Sequence, residues 1–290
     1  MRPREPSRRA FLPAAAALAA VPLLSRAARA TDAFRFGLTP VCLTSDLELL
    51  ARLRGYLERS LRQPVRLVTK RTYQEITALL ISGELDAAWI CGFPFVAYQP
   101  RLTLAAVPVW RGRPLYQSYL ITSGERNATR LQDLQGDIHA FSDPDSNSGW
   151  LVTAAELATE GRSPDRFFRR TFFTWGHRNV VRAVASGLAD SGSVDGYVYE
   201  VMRATEPDLI ARTRVVRASE WLPFPPVAFA AGSAASDTAV RFREALTAMS
   251  RDGEGRAVLA MLRLDGFRTE EPGLYDPIAA KIAAVRGVPG

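Results

Sequence analysis

The segment Asp143-Pro-Asp-Ser-Asn-Ser-Gly-Trp places Ser146, Asn147 and Ser148 where a short apolar run gives way to a helical pattern. The first amides of a helix lack internal partners and lie at the positive end of its dipole. Those amides, with two hydroxyls beside them, can hold a tetrahedral oxyanion without lysine or arginine. The same residue types also cap ordinary helices, so the segment alone fits either role.

A repeat brings further candidates to the same place. Residues 76–96 and 180–200 align at a constant offset, with Ser82, Gly83, Asp86 and Gly92 matching Ser186, Gly187, Asp190 and Gly196. Both copies run from an amphipathic helix through Ser-Gly-x-x-Asp into a short apolar strand. The residue before the shared glycine is Cys91 in the first copy and Asp195 in the second. By the same alignment His177 matches Tyr73, each at the start of its repeat helix. Tyr197 follows just past the second strand. A histidine titrates near neutral pH and can donate to an anion or exchange a proton with it. If the copies face each other, Tyr73, His177 and Asp195 converge on the serine segment. Cys42 and Cys91 are the only cysteines. Both fall near the carboxyl ends of predicted strands, and three options stay open: a disulfide, two separate thiols, or a Cys91 thiolate site for a thiophilic species. No metal-ligand spacing and no cofactor motif is present.

The elements that must position these residues alternate between strand and helix. Residues 34–40 read as a strand leading into a loop, 46–61 as a helix with leucines at helical spacing, and 65–69 as a second strand. Thr72 with Glu75 forms a capping box ahead of the first repeat copy. Further strands are expected at 104–109, 116–122, 138–141 and 171–174, with a helix over 150–160. Residues 223–230 read as a stiff return crossing. From 237 the pattern is helical and ends in an arm over the first lobe. The implied fold is α/β with two lobes, mixed and mostly parallel sheets, and a hinge. The expected division is 31–120 plus 227–290 for the first lobe and 121–226 for the second. Ligands of open α/β sheets bind beyond the carboxyl ends of the strands, which here face the cleft.

Residues 1–30 read as a removable export signal. Ser7-Arg-Arg-Ala-Phe-Leu is a twin-arginine signature, residues 13–24 are an apolar run too short to span a bilayer, and Ala28-Arg-Ala offers a cleavage site near Ala30. That segment holds six arginines and one glutamate, so it carries +5 of the net charge of +7. The remainder, near +2, gives no reason to expect nucleic acid. The expected product is a periplasmic monomer.

The combination of Asp86-Ala-Ala-Trp-Ile, Gly92-Phe-Pro-Phe-Val, Asp143-Pro-Asp-Ser-Asn-Ser-Gly-Trp-Leu and Ser186-Gly-Leu-Ala-Asp-Ser-Gly-Ser-Val-Asp-Gly resembles the phosphate, phosphite and phosphonate substrate-binding proteins of ABC transporters. The resemblance runs from about residue 36 to about 267 and includes Gly255-Arg-Ala-Val-Leu-Ala-Met-Leu. It implies a type II periplasmic-binding fold, an oxyanion held at the helix start by Ser146 and Ser148, and a pocket completed by Tyr73, His177 and Asp195. Two residues depart from the family pattern: Asn147 stands where many relatives carry threonine, and Cys91 where they carry a small residue. The departure at Cys91 is similar to a branch of arsenite-binding periplasmic sensors that signal to a histidine kinase. Two functions follow as expectations. One is capture of a small phosphorus oxyanion for an ABC permease. The other is sensing of arsenite or a similar species through Cys91. An enzyme built on Ser146 or Ser148 is disfavoured, since no Gly-x-Ser-x-Gly elbow occurs.

Overall fold

The computed structural model describes residues 33–39 and 46–287. The expected export signal and Cys42 lie outside the described residues. The first run of elements is β1 (Phe34–Leu38), α1 (Leu47–Leu61), β2 (Val65–Thr69), α2 (Tyr73–Ile81), β3 (Ala87–Trp89), α3 (Gly92–Ala97) and β4 (Leu102–Val109). After the short β5 (Leu115–Tyr116) come β6 (Ser118–Ser123), β7 (Ile138–Phe141), α4 (Val152–Thr159), α5 (Pro164–Phe167) and β8 (Arg170–Phe173). That run continues with α6 (His177–Ala185), β9 (Ser191–Asp195), α7 (Gly196–Thr205), α8 (Pro207–Ile210) and β10 (Thr213–Ala218). The chain returns through β11 (Leu222–Pro223) to β12 (Val227–Ala230), then α9 (Asp237–Ala248), α10 (Gly253–Leu262), β13 (Gly266–Arg268) and α11 (Asp276–Arg286).

Two main sheets result, of six strands in the order β13-β4-β12-β3-β1-β2 and of five in the order β10-β6-β9-β7-β8. Each contains the same nucleus. In the first, β2-β1-β3 are parallel and β12 joins β3 antiparallel; in the second, β8-β7-β9 are parallel and β6 joins β9 antiparallel. The mixed, mostly parallel sheets read from the sequence are therefore present, with the antiparallel pairs confined to the flanking strands. The chain enters each sheet from the other through β12 and β6, which run against the nucleus, whereas β4 and β10 beyond them run with it.

Local chemistry explains the elements. Asp46 caps α1, its carboxylate accepting the Leu49 amide at 3.0 Å, and the helix buries Leu49, Leu53, Tyr56, Leu57 and Leu61. The Thr72–Glu75 capping box starts α2, so Tyr73 begins the helix as the sequence suggests. The duplicated Ser-Gly-x-x-Asp has one structural role in both copies. Ser82 and Ser186 are the C-cap residues of α2 and α6, and Gly83 and Gly187 follow with φ of 79° and 75°. Each aspartate then clamps the first strand of its nucleus: Asp86 accepts the Arg35 amide at 2.7 Å and Asp190 the Ile138 amide at 2.8 Å. The clamp fixes the register that sets where β3 and β9 end, and hence where Cys91 and Asp195 sit.

The first sheet packs under α1, α9 and α10, with Phe242 wedged against Phe34 and Phe36 at ring distances of 4.7 and 5.1 Å. Burying side chains of this size stabilises by about 1.5–3 kcal/mol each. In the second lobe His139 is a core residue, stacked on Phe168 at 4.1 Å with its ring nitrogens on Ser191 and Ser193, each at 2.9 Å. The C-terminal arm reaches further than the sequence suggests. Helix α11 packs on α3 and also on α4, so it touches elements of both lobes. Its apolar face explains this span: Ile278 meets the start of α3 at Gly92, where an added Cβ would lie 2.6 Å from the Ile278 Cδ1 atom.

Candidate functional site

The carboxyl ends of the two nuclei meet, and the side chains there are almost wholly buried. Tyr73, Asn147, Ser146 and Asp195 are 0% exposed, Ser148 and His177 1%, and Cys91 2%. They come from four helix starts. Tyr73 opens α2, His177 opens α6, Cys91 precedes α3 and Asp195 precedes α7. The serine segment forms a fifth. Its helix does not begin at Trp150 as the spacing suggests, but with a wide turn over Asn147–Leu151 that runs into α4.

The duplicated pair Tyr73 and His177 join directly, the Tyr73 hydroxyl lying 3.1 Å from His177 Nε2. The other ring nitrogen, Nδ1, accepts the Asp195 backbone N–H at 3.1 Å. Burial pushes His177 down to about 3, so the ring is neutral and carries one proton. With Nδ1 accepting, that proton is on Nε2 and is donated to the Tyr73 oxygen. The Tyr73 hydroxyl proton is thereby released to donate elsewhere in the site. A second phenol has a similar arrangement: Tyr116, which ends β5, accepts from the Asn147 side-chain amide at 2.9 Å. Burial raises both phenols well above their usual range, so both remain protonated donors.

The acidic groups respond to the same burial. Desolvation pushes Asp195 up to about 7, partly offset by the backbone N–H groups of Val198 and Tyr197. Its Oδ1 caps α7 by accepting the Val198 amide at 3.2 Å, while its Oδ2 is buried with no partner. Asn147 Oδ1 and Ser142 Oγ are buried and unpartnered as well. Asp143 spans the lobes, its Oδ2 accepting the Tyr73 amide at 3.2 Å, and burial raises its carboxyl above the usual range. Three unpartnered buried polar atoms around one seam are costly unless something satisfies them.

Cys91 carries a free, buried thiol whose sulfur accepts the Asn147 amide at 3.2 Å. Desolvation pushes this thiol up to about 12, so it is neutral at ordinary pH. Ser146 serves as the cap of the wide turn, its hydroxyl accepting the Gly149 amide at 2.9 Å. The Ser148 hydroxyl lies against Tyr116. Tyr197 does not join the cluster with its ring. It packs on Trp110 and Phe224 and donates to the Leu262 carbonyl at 2.6 Å, leaving only its backbone amide facing Asp195. A helix residue two places past the strand end points back onto the C-terminal arm, which adjacency in sequence does not reveal.

Four residues at the site were not singled out from the sequence. Tyr116 lies outside the repeat. Asp143 reads in the sequence only as the start of the polar loop. Ser142 follows β7 as Thr39 follows β1, and a polar residue directly after a buried strand was the signal available for it. Gly149 is required by space, because a Cβ there would lie 1.8 Å from Ser142 Oγ and 3.0 Å from the His177 ring. Among the described residues, no three His, Cys, Asp or Glu side chains gather to hold a metal ion. Nor is any helix there long and apolar enough to cross a membrane.

Two similar α/β lobes with a polar cluster buried between their strand ends define a type II periplasmic-binding protein. Residues 36–275 match the model of the ABC transporter, phosphonate, periplasmic substrate-binding protein family, and the chain belongs to that family. Among solved structures, it is similar to a binding protein component of an ABC phosphonate transporter from Pseudomonas aeruginosa, with a TM-score of 0.80 and 20% identity over 88% of this chain and 86% of that one. A Prochlorococcus marinus protein in complex with methylphosphonate gives a TM-score of 0.77 at 16% identity, over 87% and 98% of the two chains. A Xanthomonas citri protein bound to ATP gives 0.70 at 18% identity, over 88% and 98%.

Proposed function

We propose that this protein captures a small phosphorus oxyanion (a phosphonate, phosphite or phosphate) between its lobes and delivers it to an ABC permease. The observation that carries this reading is the proton arrangement at Tyr73 and His177. His177 donates to Tyr73, so the Tyr73 hydroxyl is left as a donor beside the Asn147–Leu151 turn. Together with the hydroxyls of Tyr116 and Ser148 it forms a donor-rich site without lysine or arginine. Such a site holds an anion by hydrogen bonds rather than by ion pairing. The unpartnered Asp195 Oδ2 adds a condition, because a carboxylate next to an oxyanion needs a proton between them. A monoprotonated phosphorus oxyanion supplies one itself, whereas sulfate at neutral pH must take it from Asp195, which is only partly protonated there.

The remaining parts follow from the sequence. The twin-arginine signature at 7–12 directs the chain to the periplasm with cleavage near Ala30, and the crossings near 121 and 227 act as the hinge. The protein acts as a monomer and binds its ligand without turning it over. Ligand in the cleft bonds to both lobes, so it favours the joined arrangement that the permease reads.

A second reading rests on the Cys91 sulfur lying within the cluster, on the Asn147 amide. In that reading the protein senses arsenite and signals to a kinase. Thermal unfolding of the reduced protein with methylphosphonate, phosphite, phosphate, sulfate and arsenite separates the two. A ligand at a hundred times its dissociation constant adds about 2.7 kcal/mol, a clear rise in melting temperature. A rise with a phosphorus oxyanion that persists in Cys91→Ser supports transport. A rise with arsenite alone, lost in Cys91→Ser, overturns it in favour of the sensor.

A further inference from the structure

Two aromatic rings meet across the lobes at the edge of the buried cluster. Phe93, the second residue of α3, stacks on Trp150 in the Asn147–Leu151 turn, with centroids 6.0 Å apart and planes within 17°. Phe93 is two residues past Cys91, and Trp150 is two past Ser148, so each ring is carried by a segment that also supplies a cluster residue. Both rings are only partly buried, whereas the cluster behind them is at most 2% exposed. The seam between the lobes thus has a polar interior and an aromatic rim, bridged just inside by the Asn147 amide on the Cys91 sulfur.

We infer that Phe93 and Trp150 form an interlobe clasp that sets how often the site opens, and hence how fast ligand enters and leaves. Phe93 has no hydrogen-bonding atom, and the Trp150 ring carries only its indole N–H. Their contact exists only when the lobes are joined, since they lie on opposite sides of the seam. Offset-stacked aromatic pairs favour the stacked state beyond the area they bury. That preference therefore falls on the joined form alone and shifts the population between joined and parted lobes. From the usual strength of such pairs, removing one ring should raise the parted population about two- to tenfold. The inference deepens the proposed function, because the site being gated is the one assigned to the oxyanion.

Cys91 provides a readout that needs no ligand. Its buried thiol is reachable only when the seam opens, so its rate of modification by N-ethylmaleimide reports the parted population. The experiment uses a Cys42→Ser background, to leave Cys91 as the single thiol, and compares Trp150→Ala with Trp150→Phe. Trp150→Ala should raise the modification rate about two- to tenfold, and Trp150→Phe should restore a rate near the parent's. Trp150→Leu, which keeps bulk without a π face, serves if the alanine variant folds poorly, and it should also react faster than the phenylalanine variant. Equal rates in all variants would overturn the clasp. So would a rise matched by a proportional fall in global stability, which would mean that Cys91 is reached by unfolding. A further arm adds methylphosphonate to the parent protein. If it fails to slow modification there, the ligand assignment fails while the unliganded rates still decide the clasp.

Discussion

Replacing Asp195 with asparagine should stabilise the protein, and the gain should depend on pH. Asp195 is wholly buried and desolvation holds its carboxyl at about 7, against an ordinary aspartate near 3.9. A raised carboxylate pKa means that the folded form binds a proton the unfolded chain has already lost. Stability from this group is therefore highest below about pH 4 and falls as pH rises to about 7, where the loss levels off. At about 1.4 kcal/mol per pH unit, the full interval of about three units corresponds to about 4 kcal/mol. Asparagine keeps the α7 cap, where Asp195 accepts the Val198 amide, and removes the titration. The assay is urea unfolding of the parent and Asp195→Asn at pH 4 to 8 without ligand. The two should nearly coincide at pH 4, and the variant should lead by up to about 4 kcal/mol at pH 8. His177 and His139, held down to about 3 by burial, act in the opposite sense. They remove stability as pH falls from about 6.5 towards 3, but they do so in both proteins and cancel in the difference. A difference that does not change with pH would refute the assignment of a buried, proton-holding carboxyl. The same variant should bind sulfate better relative to methylphosphonate, because the demand for a shared proton is gone.

Other substitutions test separate parts of the structure. Gly149→Ala puts a methyl group 1.8 Å from Ser142 Oγ, so it should cost about 1–3 kcal/mol and abolish methylphosphonate binding, read by urea unfolding and calorimetry. Gly83→Ala and Gly187→Ala meet no atom within 4 Å but force alanine to φ near 79° and 75°. Each should cost about 1–2 kcal/mol in urea unfolding while leaving ligand affinity unchanged. Gly55→Ala, inside α1 and equally unobstructed, should instead stabilise by up to about 1 kcal/mol in the same assay.

Much of the site was legible because it is built twice. Tyr73 and His177 were paired by the repeat alone, and their side chains do touch; Cys91 and Asp195 were paired as strand ends, and each precedes a helix whose first residue is a glycine. The Thr72–Glu75 capping signal was local, so it marked the start of its helix correctly. The sequence was less informative where long-range packing decides. Tyr116 reaches the site from a two-residue strand outside the repeat, and no periodicity marks it. Tyr197 is two residues from Asp195 in sequence, yet its ring is drawn to the C-terminal arm by the Leu262 carbonyl. The antiparallel flanking strands depend on how the chain crosses between sheets, which a hydrophobic pattern does not encode. The start of the serine-segment helix shifted because Ser146 caps a wide turn, a geometry that the same residues also permit as a simple loop.

Calorimetric titration of the reduced, signal-free protein with methylphosphonate at pH 7 is the decisive measurement. A single saturable site per chain is expected, since both lobes contribute to one cluster. A folded protein that shows no heat with methylphosphonate, phosphite or phosphate would contradict the assignment of the interlobe cluster as an oxyanion site.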